Sequence, residues 1–357
     1  MIKSCYIHIP FCKNICSYCD FCKMYYNKDF IDKYLLSLEK EINLYYKNDL
    51  LNTLYIGGGT PSCLDEISLK KLFKIINIFK LNKTYEFTFE CNIEDINEKL
   101  LIFLKENKVN RISIGLQSFN KKYIEFMNRK YLNKKEITDK INLVKKYFNN
   151  INIDLIYGIN NETLKELQEE VDSFINLDVN HISLYSLILE DNTILKTKKY
   201  KEIDDDLNRK MYDYIRKTLK KNNYIHYEIS NFSKKGYMSK HNLCYWNNDN
   251  YYGFGLGSSG FIDNIRYTNT RSLNSYINGN YRYIKEKIDK NRNMEYEMIL
   301  NLRKIKGISK KNFYKKYNLN IKDVFDVSKL KENKYYFYIP KKYLFVENYI
   351  LSDFILD

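Results

Sequence analysis

The sequence predicts an α/β chain, a partial (β/α)6 barrel followed by a small α+β C-terminal domain. Three observations carry this. Six short β-rich runs punctuate the first two thirds of the chain, stretches of helical period separate them, and chemically distinctive residues fall just after the runs. Alternating strands and helices imply a parallel sheet with crossover helices. Such folds place their site at the C-terminal ends of the strands.

The runs are 5–9 (CYIHI), 53–56 (TLYI), 85–90 (YEFTFE), 111–115 (RISIG), 151–156 (INIDLI) and 181–187 (HISLYSL). Each is rich in β-branched or aromatic residues and ends at a polar or glycine signal. Between the first two, Ile31, Tyr34, Leu35, Leu38 and Ile42 recur at three or four residues, the period of one helix face. Ile67, Leu69, Leu72, Phe73 and Ile76 nearly repeat it, as do Leu164, Leu167, Val171 and Phe174. After Asn222 the alternation breaks. Gly, Asn, Ser and aromatics dominate 231–270, which reads as long loops of a functional kind. From Met294 the pattern turns helical, then gives short strands near 335–339 and 344–345. The expected division is a core over 1–232, a loop region over 233–290 and a C-terminal domain over 291–357.

The composition of the 357 residues is that of a globular protein, 44% hydrophobic and 29% charged. The net charge of +15 first suggests nucleic acid. The chain has no alanine and three prolines, however, and abounds in Lys, Asn, Ile and Tyr, the residues of A+T-rich codons. The lysines are scattered rather than striped, so no nucleic-acid partner is expected. A peripheral membrane contact remains compatible with the charge. No apolar run approaches the ~20 residues of a membrane span, and the N-terminus lacks a secretory pattern. A soluble cytoplasmic protein is expected. Of eight cysteines, Cys12, Cys16, Cys19 and Cys22 crowd into eleven residues, a spacing for metal ligands rather than disulfides.

Cys12-x3-Cys16-x2-Cys19 directly follows the first strand. Three thiolates on a tight loop can hold three irons of a [4Fe–4S] cluster and leave one iron open to a small ligand. The alternatives are a structural zinc or a four-cysteine cluster including Cys22. Gly57-Gly58-Gly59-Thr60-Pro61-Ser62 follows the second strand, where glycines allow close backbone approach. Glu90 and Asn92 end the third, Gln117 follows the fourth, and Asp154 lies in the fifth. Arg129 would suit a carboxylate bidentately. These groups converge on one mouth if the barrel forms. His241-Asn242-Leu243-Cys244-Tyr245-Trp246 places one of four histidines beside the only tryptophan. Such a histidine can ligate haem iron, with aromatic rings against the macrocycle.

Tyr6-Ile7-His8-Ile9-Pro10-Phe11-Cys12 and Tyr18-Cys19-Asp20-Phe21 resemble the radical S-adenosylmethionine (SAM) enzymes, specifically the oxygen-independent coproporphyrinogen oxidase family and its HemW-type haem-chaperone branch. The resemblance continues along nearly the full chain, including Leu302-Arg303-x3-Gly307-Ile308 of the trailing domain. It implies a [4Fe–4S] cluster on Cys12, Cys16 and Cys19. It implies SAM held by Tyr6, Tyr18, Gly58, Gly59, Thr60, Glu90, Gln117, Arg129 and Asp154. The H-N-x-x-Y-W pattern is similar to the branch's haem-binding signature, with His241 as axial ligand rather than Cys244. The function implied is binding haem and passing it to an acceptor protein. The alternative is the oxidase or another radical enzyme acting on porphyrins. The oxidase branch has a further cysteine where this chain has Phe21, and a long extension before its counterpart of Tyr6, which only five residues precede here. Ile93 stands where the family often has proline.

Overall fold

The computed structural model describes residues 1–356. All six expected strands form: β1 Ser4–Ile9, β2 Leu50–Gly58, β3 Lys80–Asn92, β4 Arg111–Gln117, β5 Ile151–Tyr157 and β6 His181–Ser186. They pair in chain order, all parallel. Three short strands extend the edges: β7 Ile225–Glu228, β8 Asn231–Ser233 and β9 Tyr252–Phe254. The nine-stranded order is β9-β1-β2-β3-β4-β5-β6-β8-β7. Crossover helices run over Lys28–Tyr45, Glu66–Ile76, Glu98–Glu106, Lys134–Tyr147 and Leu164–Asn176. Asn27, Asp65, Asn97, Asn133 and Thr163 cap their N-termini through side-chain oxygens.

The strands are two-faced. Ile112, Ile114, Ile151, Ile153, Ile182 and Leu184 are buried in the main hydrophobic core. The alternate residues Arg111, Ser113, Asn152, Asp154, Ser183 and Tyr185 line a common cavity. Register keeps the faces matched, with Ser113 opposite Asn152 and Asp154 opposite Ser183. The result is a barrel with an apolar exterior under its helices and a polar interior.

The expected loop region is instead ordered. It contains β8, a helix over Lys240–Trp246, β9, and an antiparallel sheet of Ser259–Ile262, Ile265–Asn269 and Arg282–Lys287. Its glycines mark close packing rather than looseness. A Cβ on Gly253 would collide with the Ser259 backbone, and one on Gly260 with the Tyr267 ring. The sheet runs across the 232/233 position, because β9 pairs parallel with β1 (Cys5 opposite Tyr252). Farther on, Tyr336–Tyr338 is a strand as expected, but Lys341–Val346 is a 3-10 helix instead of a strand near 344–345. The C-terminal unit docks through Ile229 N–H to Arg303 O (3.1 Å) and Ile305 N–H to Tyr227 O (3.1 Å). Among the described residues no helix is long and apolar enough to cross a membrane.

Glu41 ties the first crossover helix to this ordered region. Its carboxylate is fully buried and accepts from Gly255 N–H (2.8 Å), Asn269 Nδ2 (2.6 Å) and Tyr276 Oη (2.6 Å). Burial raises its pKa, against the pull of those three donors. Glu41→Ala strands three buried donors and should cost about 3 kcal/mol in urea unfolding. A raised carboxyl pKa makes the native state the stronger proton binder. Its contribution is therefore full below the ordinary glutamate pKa and declines as pH rises through the elevated value. Glu41→Gln should remove that slope from the stability–pH curve.

Candidate functional site

A cavity of about 450 Å³ opens at the C-terminal ends of the strands and runs down the barrel to Asn242. Of the thirteen residues singled out in the sequence, eleven line it: Cys12, Cys16, Cys19, Tyr18, Gly58, Gly59, Thr60, Glu90, Gln117, Arg129 and Asp154. Tyr6 and His241 do not.

The cysteine loop is strapped to the barrel rim. Ser17 donates through N to Met127 O (3.1 Å) and through Oγ to Phe126 O (2.9 Å). Asn128 Nδ2 donates to Ile15 O (2.8 Å). Phe11–Cys12 pairs parallel with Met24–Tyr25, which closes the loop. Two donors reach the sulfurs: Thr60 Oγ1 to Cys12 Sγ (3.5 Å) and Arg129 Nη1 to Cys16 Sγ (3.7 Å). Burial pushes the Cys12 thiol up to about 11, and burial raises that of Cys19. An electropositive ligand would reverse this, since a coordinating thiol is deprotonated. Among the described residues no three His, Cys, Asp or Glu side chains converge on a point that could hold a single metal ion. The three thiols instead rim an open volume, which suits a multinuclear group better than a tetrahedral zinc.

Phe21 is 69% exposed and lines the cavity rim, whereas Cys22 is buried on the other side of the chain. A Cβ on Gly257 would lie 2.5 Å from Cys22 Cβ, and His8 Nε2 meets Cys22 O at 2.6 Å. The one-residue offset therefore turns Cys22 away from the mouth.

Glu90 accepts from Tyr55 Oη (2.7 Å) and Gly58 N–H (2.9 Å), and burial pushes its pKa up to about 7. Asp154 accepts from Asn152 Nδ2 (2.8 Å), and burial raises its pKa. Arg129 donates to Asn92 Oδ1 (3.0 Å) and Gly115 O (2.9 Å), with Glu94 at 3.7 Å. Burial opposes its charge, but Tyr18, Cys16 and Glu94 raise its pKa and keep it charged. Gln117 holds φ 72° where β4 ends, a strained conformation for a residue with a side chain. The same region contains a 3-10 turn, Ile93–Asp95, in place of the family's proline.

Two of the expected residues lie off the cavity. Tyr6 directs its hydroxyl to His8 Nδ1 (2.9 Å) and packs against Tyr55 and His241 instead of lining the cavity. His241 lies on the Lys240–Trp246 helix, which closes the end of the barrel opposite the cysteines. It is 1% exposed, and both ring nitrogens are engaged, Nδ1 with Thr53 Oγ1 (2.8 Å) and Nε2 with Tyr245 Oη (2.7 Å). Burial pulls its pKa down to about 3, so it is neutral. Cys244 is also buried. In this arrangement His241 has no ring nitrogen free, and both side chains are buried.

Sequence reasoning missed Tyr55, Arg111, Ser113, Asn152, Ser183 and Tyr185, which complete the cavity wall. The signal was present as polar residues at alternate positions inside otherwise apolar strands, Arg111-x-Ser113, Asn152-x-Asp154 and Ser183-x-Tyr185.

Residues 6–174 match the family model of the Radical SAM superfamily. The chain is 38% identical over 332 residues to the "Heme chaperone HemW" of Lactococcus lactis, covering 90% of this chain and 87% of the relative. It is 38% identical over 339 residues to that of Bacillus subtilis, covering 91% and 89%. The fold is similar to coproporphyrinogen III oxidase (HemN) from Escherichia coli, with a TM-score of 0.86 and 20% identity over 99% of this chain and 90% of that one. An α/β barrel with three rim cysteines and this match define a radical SAM protein. Within that class, the chain belongs to the HemW family.

The glycine loop gives a test independent of any cofactor. Gly58 holds φ 118°, and a Cβ there would lie 2.5 Å from the His8 ring. Gly58→Ala should cost about 1–3 kcal/mol of stability. At Gly59 a Cβ would meet the Pro10 backbone at 2.8 Å. A larger side chain there displaces the Pro10–Phe11 segment itself, beyond filling the space expected for a cofactor.

Proposed function

We propose that the protein binds haem and passes it to an acceptor protein, carrying a [4Fe–4S] cluster on Cys12, Cys16 and Cys19 with SAM beside it. The similarity to proteins named heme chaperone over 87–89% of their length carries this reading. The cavity residues are compatible with it. Three thiols with hydrogen bonds to two of the sulfurs suit a cluster whose potential such bonds tune. When bound, a reduced cluster with one open iron would supply an electron for cleaving SAM. The chain's own contribution is placement. Gly58, Gly59 and Thr60 present a backbone ridge beside Cys12, Glu90 offers an acceptor, and Arg129 keeps positive charge against Cys16.

The neighbouring reading, decarboxylation of coproporphyrinogen, is disfavoured by Phe21 at the rim and Cys22 turned inward. The likeness to the oxidase at 20% identity speaks for the fold alone.

Anaerobic reconstitution tests the cluster. Cys12→Ser, Cys16→Ser and Cys19→Ser should each lose its visible absorption, while Cys22→Ser retains it. Retention in Cys19→Ser with loss in Cys22→Ser would replace the ligand set.

Haem titration of the purified chain should saturate at about one per chain, and a coproporphyrinogen assay should detect no decarboxylation. His241→Ala should lower thermal stability without moving the Soret band of bound haem, because its nitrogens serve Thr53 and Tyr245. A Soret shift in a folded His241→Ala protein would restore that histidine as the iron's ligand.

A further inference from the structure

Arg111 is among the largest fully buried side chains of the molecule, 2% exposed, and it lines the barrel lumen. Its Nε has no hydrogen-bond partner, and its guanidinium forms no ion pair within 4.0 Å among the described residues. On the neighbouring strand the residue in register with it is Thr88, fully buried, whose Oγ1 also lacks a partner. Arg129 shows the contrast, since it is satisfied by Asn92, Gly115 and Glu94 at the rim. Burial raises the pKa of both carboxylates that share the lumen and the Arg111 charge pulls it down, but they spend their hydrogen bonds elsewhere: Glu90 on Tyr55 and Gly58, Asp154 on Asn152.

A buried guanidinium without a contact ion pair is costly, and the cost is relieved when a ligand brings the opposite charge with hydrogen bonds. A guanidinium fork matches a carboxylate in two parallel hydrogen bonds. The two acidic groups nearby would repel a phosphate dianion about twice as strongly as a carboxylate monoanion, which favours the monoanion. We propose that Arg111 anchors a carboxylate-binding subsite in the barrel lumen, distinct from the rim position of Arg129. The carboxylate is either a propionate arm of a porphyrin or a free small acid. Only the first source rests on the haem reading.

The test uses the full chain with its cluster reconstituted anaerobically. Haem, haem dimethyl ester, sodium propionate and SAM are each titrated into the wild type, Arg111→Met and Thr88→Asp. The second variant sets a carboxylate beside the guanidinium, so it fills the subsite from within and guards against misfolding of the first. The expected result is at least tenfold weaker haem binding in both variants. The ester should bind the wild type as weakly as haem binds the variants. If haem and ester bind alike but propionate binding depends on Arg111, the subsite stands and its occupant is a free acid. If the wild type binds no haem yet binds propionate through Arg111, the haem reading fails and the subsite survives. Haem and propionate binding unchanged in both variants overturns the subsite. So does a loss confined to SAM, which would assign the guanidinium to the cofactor.

Discussion

The buried Glu86 carboxylate makes the barrel a vessel. It sits low on β3, 4% exposed, and accepts from the backbone N–H groups of Lys240 (3.1 Å) and His241 (3.0 Å) and from Ser239 Oγ (3.5 Å). These are the first donors of the Lys240–Trp246 helix, which have no partner within the helix. A carboxylate there also complements the positive end of the helix. His241 adds its bond to Thr53 of β2, and Tyr245 packs edge-on against His241 and Tyr251. Without this floor, a polar-lined barrel would be open to water at both ends. With it, the lumen ends at Asn242.

The rim follows from the floor. Because the lumen is closed below, the polar side chains of β3 to β6 face a single cavity whose access is at the cysteine end. Glu90, Gln117 and Asp154 occupy neighbouring strands there, and Arg129 reaches across from the segment that straps the cysteine loop. The same few residues, 126–129, therefore place both the loop and the guanidinium beside its sulfur. The local dielectric is low, so each charge matters more than it would in water. Glu90 near neutrality and Arg129 held charged are two results of that environment.

Much of this was legible in the sequence. The six strands follow from β-rich runs, and eleven of the chosen residues lie on one cavity because strand ends in a parallel barrel converge. The ordered elements between 231 and 290 were not legible. Strands of three to six residues that use glycine for close approach, as at Gly253 and Gly260, have the composition of loops. Nor did one-dimensional spacing show that β9 returns to pair with β1, which closes a separation of over two hundred residues.

What the sequence determined by itself is local: strand and helix periods, the cysteine spacing, and the one-residue offset that turns Cys22 from the mouth while Phe21 faces it. Tertiary structure decided which groups remain free. The sequence marked His241 as a ligand candidate and passed over Arg111. Packing satisfies both nitrogens of His241 and leaves Arg111 Nε without a partner. Partner satisfaction depends on which groups distant strands and helices bring, Thr53 bonding to His241 while Thr88 in register with Arg111 makes no bond to it, so no local pattern encodes it.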